Sequence, residues 1–415
     1  MPDPTPVLEQ DVRIVGGGPA DDLSVRYLRL RGSDRQIGRE LALVARREHG
    51  GAAGPAAAAE PDLERVRRRW FRMNHPVIAM RSEGVADAFG LDPDDDRWET
   101  SAIGTHPLGG GCTAVWHAPS MSNDGHSRLG RNFDFPMLTM NGMMGLPDEP
   151  GALPLTARPY VLELHPTGGL ASLSVTFLDL LGAMDGVNEA GLSVALLADN
   201  ESPTPEPSMR SQVGLSEQQV VRYLLETCRT VDEARDALRW AKQYYQFIPC
   251  HFLVGDRTGR AFVWEHSRGH NIEHVVEMTG NVLACTNHLL HRWADGRTLP
   301  TGGDALTYDR YRTVLGRTAQ DGPVGADGIR GHLDAVRARH PMPVVRTIWQ
   351  SIYDATEPSV EVVVHVRDEG PGTVLSEPVR IALDGTGPAA GTAAARATEP
   401  ALSPVSAGRK RASTP

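Results

Sequence analysis

The sequence predicts an α+β fold in which antiparallel sheets carry helices on their faces, and three observations lead there. Stretches of period two come in hairpin-like pairs joined by short turns. Stretches of helical period come in groups instead of alternating one by one with strands. The pattern also switches at one point: the first hundred residues are mostly of helical period, and strand-like runs begin at Cys112. The regular strand–helix alternation of a doubly wound parallel sheet is absent from this pattern.

Taken in order, "SVRYLRLRG" (24–32) reads as a strand. "SDRQIGRELALVARREHG" (33–50) reads as a helix with Ser33 as N-cap and Gly50 as its stop. "DLERVRRRWFRMN" and "VIAMRSEGVADAFGL" carry apolar residues at helical spacing, with "NHP" breaking between them. "CTAVWHA" and "SRLGRNFDF" form a predicted hairpin turning at Asp124-Gly125. Strands follow in "PYVLELHP", "LASLSVTFL" and "GLSVALLAD", then helices in "LSEQQVVRYLLETC" and "TVDEARDALRWAKQY". A second hairpin, "CHFLVGDRTGRAFVWEHS", turns at Asp256–Gly259. "NVLACTNHLL", a helix over Tyr308–Arg317 and a late strand, "SVEVVVHV", complete the pattern.

Forty-two basic residues against fifty-two acidic ones give a formal charge of −10, which argues against a nucleic-acid partner because phosphate neutralisation needs a basic surface. The one basic cluster, "GRKR" at 408–411, lies in a low-complexity tail. No run approaches the ~20 apolar residues of a membrane span, and "MPDPTPVLEQDVR" has neither the basic start nor the apolar run of a secretion signal. The four cysteines, Cys112, Cys228, Cys250 and Cys285, match no zinc or CxxC spacing. A reduced, cytoplasmic setting is therefore expected.

Chemistry concentrates around "LGGGCTAV" (108–115). Three consecutive glycines imply a backbone that side chains would forbid. The plain reading is a turn followed by a buried, unreactive thiol. The sharper reading is that the Gly111–Cys112 bond is cut. Cys112 would then carry both a thiol and an α-amine titrating near ~7.7–8.0, a nucleophile and its base in one residue. In "GRNFDFP" (130–136), strand alternation puts Asn132 and Asp134 on one face and Arg131 on the other. Asn287 ends an apolar run, where a buried amide is either satisfied by the core or available to an oxyanion. Asn188 sits in a turn before a strand, a place asparagine takes for structural reasons, and is also, with Met140 and Met143, a candidate substrate contact. In "MLTMNGMMGLP", Met140 and Met143 either fill core or line an acyl pocket. His288 and His291 have helical metal spacing but no third ligand, so no metal is expected.

"GGGCTAVW", "GRNFDFP", "DGVNEAGLSVAL", "HFLVGDRTGRAFVWE", "ACTNHLL" and "TYDRYRTVL" occur in this order. As a set they resemble the penicillin acyltransferase-type family, the N-terminal nucleophile (Ntn) hydrolases related to acyl-coenzyme A:6-aminopenicillanic acid acyltransferase. "YLRLRGSDRQIGRELALVAR" is similar to the start of that family's precursors, and the resemblance spans residues 24–367. It implies an αββα sandwich and a precursor that cleaves itself between Gly111 and Cys112. Cys112 is then the nucleophile, Asp134 the acid beside it, Asn287 the oxyanion amide and Arg310 the late arginine. Arg131 stands where related bile-salt hydrolases keep an arginine. Those enzymes carry a second oxyanion asparagine where this chain has Ala198.

On this reading the chain divides into a flexible arm (1–20), a mostly helical small chain (21–111), a catalytic region (112–384) and a disordered Ala/Pro/Gly-rich tail (385–415). The two chains from one precursor stay associated. The expected activity is hydrolysis or transfer of the acyl group of a linear amide through acyl-Cys112, with a small-molecule amide or acyl donor as partner. No cofactor is implied, and acyl-coenzyme A enters only as a substrate. The alternatives are an acyl-coenzyme A-dependent N-acyltransferase and a binding protein that kept the fold without the chemistry.

Overall fold

The computed structural model describes residues 7–50, 53–104, 110–202, 211–246, 248–267, 272–293, 298–303, 306–338, 344–370, 372–383 and 395–397. The chain opens with β1 (Leu8–Gly16), β2 (Ser24–Gly32), α1 (Asp34–His49), the two-residue β3 (Ala56–Ala57), α2 (Pro61–Asn74), α3 (Pro76–Phe89) and β4 (Trp98–Glu99). β5 (Cys112–His117), β6 (Arg128–Pro136), α4 (Met140–Met143), β7 (Pro159–Pro166), β8 (Ser172–Phe177), β9 (Asp185–Asn188) and β10 (Ser193–Ala198) follow. The helices α5 (Glu217–Thr227) and α6 (Val231–Trp240) precede β11 (Cys250–Gly255), β12 (Ala261–Ser267), β13 (Ile272–Glu277) and β14 (Val282–Cys285). The last elements are α7 (Thr307–Asp321), α8 (Ala326–Asp334), β15 (Val345–Asp354), β16 (Ser359–Glu369), β17 (Gly372–Ser376), β18 (Val379–Ala382) and β19 (Ala395–Ala397).

Local signals set several boundaries. At α1, Ser33 and Gln36 form a reciprocal capping box, basic Arg46, Arg47 and His49 occupy the last turn, and Gly50 ends the helix with φ +58°. Pro61 and Pro76 start α2 and α3, where a missing N–H costs no helical bond.

Two large sheets result. The first runs β1-β2-β7-β8-β9-β10-β11-β12-β13, and the second β14-β5-β6-β15-β16-β17-β19 with β18 also on β16. They lie face to face: Phe133 and Trp349 of the second sheet pack on Phe177 of the first, within one apolar core that draws on both. Outside the first sheet, α1 packs on β2 and β7 through Leu28, Leu30, Ile37, Leu41 and Leu162. α5 and α6 cover β9 to β11. Outside the second sheet, Val314 of α7 and Ile329 and Leu333 of α8 pack on Val115, Ala284 and Ile352. The order of layers is helix, sheet, sheet, helix, the αββα arrangement that the resemblance implies.

Four features depart from expectation. Residues 8–16, expected as part of a flexible arm, form β1. Its polar face is held to β2 by Asp11–Arg26 and Glu9–Arg29 ion pairs, which hydrophobic periodicity does not register. The expected arm thus adds β1 to the first sheet beside the expected strand β2. Second, β2 and β7 pair in parallel, so that sheet is not wholly antiparallel. Third, the ten-residue β15 is buried throughout and pairs with both β6 and β16; burial on both faces leaves no alternation to read. Finally, within the expected disordered tail, residues 395–397 form β19 beside β17, and the rest of 385–415 lies outside the described residues.

Candidate active site at the Gly111–Cys112 bond

Cys112 is the first residue of β5 and is only 4% exposed. Its cross-strand partner is Phe133, so the thiol shares a face with Phe133 and Arg131 and looks into the space between the sheets. Gly109 lies outside the described residues. Gly110 has φ +118°, and a Cβ there would stand 2.3 Å from the Asp134 carbonyl oxygen. This position therefore admits only glycine. The next carbonyl, that of Gly111, accepts from the Asp134 main-chain N–H at 2.9 Å, so the β5–β6 ladder continues onto the bond expected to be cut.

The Cys112 N–H donates to Asn287 Oδ1 at 2.9 Å. Arg310 reaches in from α7, donating to the same Oδ1 at 2.5 Å, to the Cys112 carbonyl, and to Thr113 Oγ1 at 2.7 Å. Asn287 Nδ2 donates to the Ala198 carbonyl at 2.8 Å, and the Asn287 main chain is held by Thr307 Oγ1 and the Asn200 N–H. At position 198 the chain therefore presents a main-chain acceptor to Asn287 in place of a side-chain donor.

Behind the thiol lies a buried ion pair joining the two sheets. Arg131 and Asp185 are both 0% exposed and meet at 2.5 Å. Arg131 Nη2 lies 3.5 Å from Cys112 Sγ and also donates to the Leu196 carbonyl, while Nη1 reaches the Met184 carbonyl. Asp185 further accepts from Trp349 Nε1, Ser351 Oγ and Tyr353 Oη. Burial opposes the charge on Arg131, but Asp185 and the Cys112 thiol outweigh it and raise its pKa. Sequence reasoning missed Asp185. It stands in "MDGVNEAGL" as an acid amid apolar residues, which was the available signal. Asp185→Asn leaves a buried guanidinium without its carboxylate, so a loss of roughly 3–5 kcal/mol is expected. An unchanged denaturant midpoint in that variant would show that the pair does not bind the sheets together.

Asp134 lies near the thiol in sequence register but on the opposite face of β6. Its carboxylate accepts from Thr347 Oγ1 at 2.5 Å and stands 4.0 Å from Arg310. Burial pushes its pKa up, with Arg310 and Thr347 pulling the other way. Asn132, on the same face, donates to the Leu333 carbonyl of α8. Asn188, placed among the substrate contacts in the sequence reading, is instead fully engaged. It donates to the Leu225 and Cys228 carbonyls and accepts from Ala190 and Leu192. Its role is to close a turn against α5, which a one-dimensional reading of "VNEAGL" cannot separate from ligand binding.

Met140 and Met143 are half-buried on α4, directly after β6, and Met143 packs against the main core. His288 is buried between Tyr308 and Tyr311, and His291 bonds Glu265 at 2.6 Å. Among the described residues no group of three His, Cys, Asp or Glu side chains could hold a metal ion. Nor is any described helix long and apolar enough to cross a membrane. Burial pushes the Cys250 and Cys285 thiols well up.

No curated protein matches the sequence. Solved structures that resemble the fold include penicillin V acylase from Agrobacterium tumefaciens, with TM-score 0.43 and 18% identity over 66% of this chain and 87% of that one. A mutant of conjugated bile acid hydrolase from Clostridium perfringens gives 0.43 and 13%, covering 69% and 96%. The N-acylethanolamine-hydrolyzing acid amidase ortholog of Caenorhabditis elegans gives 0.40 and 18%, covering 59% and 93%. The sequence model of one family, acyl-coenzyme A:6-aminopenicillanic acid acyl-transferase, matches residues 121–308. Arg131, Asp134, Asp185 and Asn287 fall inside that stretch, and Cys112 and Arg310 flank it. Over residues 121–308, the chain is therefore similar to the acyl-coenzyme A:6-aminopenicillanic acid acyl-transferase family.

Proposed function

We propose that the protein is a self-processing cysteine Ntn enzyme that takes the acyl group from a linear amide onto Cys112 and passes it to water or to a second amine. The observation that carries this reading is the convergence on one peptide bond. Asn287 and Arg310 hold the nitrogen and carbonyl of Cys112, Arg131 stands 3.5 Å from its sulfur, and the Asp134 N–H holds the carbonyl of Gly111. A cysteine buried only for packing needs no buried guanidinium beside its sulfur, and its main chain could be satisfied without side chains from two remote elements.

In the first turnover the Cys112 thiol attacks the Gly111 carbonyl carbon. The C–S bond forms, the C–N bond breaks, and the nitrogen takes the proton. The Asp134 N–H, already on the Gly111 oxygen, stabilises the developing oxyanion. Water then opens the thioester, leaving a Gly111 carboxylate and a free thiol beside a new α-amine. In later turnovers that amine accepts the thiol proton and returns it to the leaving amine. Arg131 Nη2 faces the sulfur throughout, and Asn287 Nδ2 turns from the Ala198 carbonyl toward the oxyanion.

Gly110 tests the processing half. Gly110→Ala requires either the Asp134 carbonyl or the scissile bond to move, because the contact falls on main chain. Uncut chain is expected to accumulate at least tenfold over wild type on a denaturing gel, at unchanged expression. Processing at the normal rate would show that the close approach does not set the geometry of the cut. The chemical half is tested by incubating an amide donor with and without excess amine and following products and Cys112 acylation by mass spectrometry. Acid product alone identifies a hydrolase, and exchanged amide an acyltransferase. Intact amide and unmodified Cys112 under all conditions would favour the binding-protein alternative.

A further inference from the structure

Self-cleavage and amide turnover share an intermediate, and this bears on substrate choice. In the thioester formed from the precursor, the acyl group on Cys112 Sγ is the chain's own Gly110–Gly111 end. The segment being cut is thus the first acyl group the site holds, and whatever grips it in the uncut chain marks the acyl side. Among the described residues two contacts do so: the Asp134 N–H on the Gly111 oxygen, and Asn200 Nδ2 on the Gly110 oxygen at 3.4 Å. Asn200 is half-buried in the turn after β10, and its main-chain N–H on the Asn287 carbonyl ties that turn to the centre of the site.

We propose that the Asn200 side-chain amide is an acyl-side recognition residue and that the preferred donors are amides of N-acylglycine-like acids. This rests on the function proposed above. The Gly110 oxygen is borne by the carbon three bonds upstream of the scissile carbonyl carbon, through the Gly111 nitrogen and α-carbon. An N-acylglycyl amide places a carbonyl at that position, and a simple alkanoyl amide places a methylene there. Once Gly111 has left as a carboxylate, the Asn200 N–H is released to take that second carbonyl. At 3.4 Å the bond is long in the uncut chain, and bonds of this kind shorten as the reacting complex forms. The steric contact at Gly110 bears on the N-acyl part: its α-carbon corresponds to the acetyl methyl, and the Asp134 carbonyl closes the space where a branch on that carbon would begin.

The test compares two coumarin amides of equal main-chain length, N-acetylglycyl and pentanoyl, with the full self-processed protein. Wild type is expected to favour the N-acetylglycyl amide in kcat/KM by about tenfold, the scale of one neutral hydrogen bond. Asn200→Ala is expected to bring the ratio to about one and to slow self-cleavage several-fold. Equal turnover of both amides by wild type, or an unchanged ratio in Asn200→Ala, overturns the assignment and leaves the amidase reading standing. If wild type cuts itself but neither amide acylates Cys112, the amidase reading fails, and the self-cleavage rate decides on Asn200. Slowing in Asn200→Ala then supports its hold on the acyl side, and an unchanged rate removes it.

Discussion

Cys112→Ala is expected to abolish both self-cleavage and amide turnover, leaving one chain of about 45 kDa, a mass set by composition. Wild type is expected to give two bands on a denaturing gel, spanning 1–111 and 112–415, with the larger beginning Cys-Thr-Ala-Val. The two pieces are expected to run as one species under native conditions. β2 lies between β1 and β7 inside the first sheet, and buried Arg81 bridges Asp34 of α1 to Glu226 of α5 at 2.9 and 2.7 Å. Separating the pieces would open that sheet and expose these charges, a cost far above that of a surface contact. The loss of one sulfur is a small change and lies beside Phe133 at a core edge, so the fold should survive it. Cleavage persisting in Cys112→Ala would place the nucleophile elsewhere. A fully active wild-type chain never cut at Gly111 would separate catalysis from processing.

How much of this was legible beforehand follows from what a linear chain encodes locally. The glycine triplet could be read because glycine tolerates backbone shapes that other residues resist, and Gly110 does adopt one. The opposite orientation of Arg131 and Asn132/Asp134 could be read because strand alternation is strict. α1 could be read from its caps. What stayed hidden depends on partners remote in sequence. Asp185 is 54 residues from Arg131, and nothing near either residue reveals their pairing across the sheets. β15 escaped because burial on both faces erases alternation, and β1 because ion pairs hold its polar face. Asn200 becomes visible only when its turn is seen against Gly110 and Asn287. Asn188 shows the converse, since a local motif suggests a ligand contact that long-range carbonyls already occupy.

Asn287→Ala is the second expected large effect, and its size follows from the number of bonds converging on one amide. The side chain accepts from Cys112 and Arg310 through Oδ1 and donates to Ala198 through Nδ2. In the cleaved enzyme the first acceptor would hold the new α-amine, and the donor would face the tetrahedral oxyanion. Loss of one such donor typically costs about 2.7–4 kcal/mol of transition-state stabilisation, so kcat should fall by roughly 10²–10³. KM is expected to change far less, because the oxyanion exists only at the transition state. The fold should persist, since Thr307 Oγ1 and the Asn200 N–H hold the main chain at 287 independently of its side chain. Arg310 keeps the Cys112 carbonyl and Thr113, so its guanidinium does not become a bare buried charge. The measurement is steady-state turnover of an amide by the Asn287→Ala protein, with the uncut fraction read on a gel alongside. A large fall in kcat with near-normal KM supports the oxyanion role. A fall confined to KM would make Asn287 a ground-state binding group, and near-normal values of both would remove it from the mechanism.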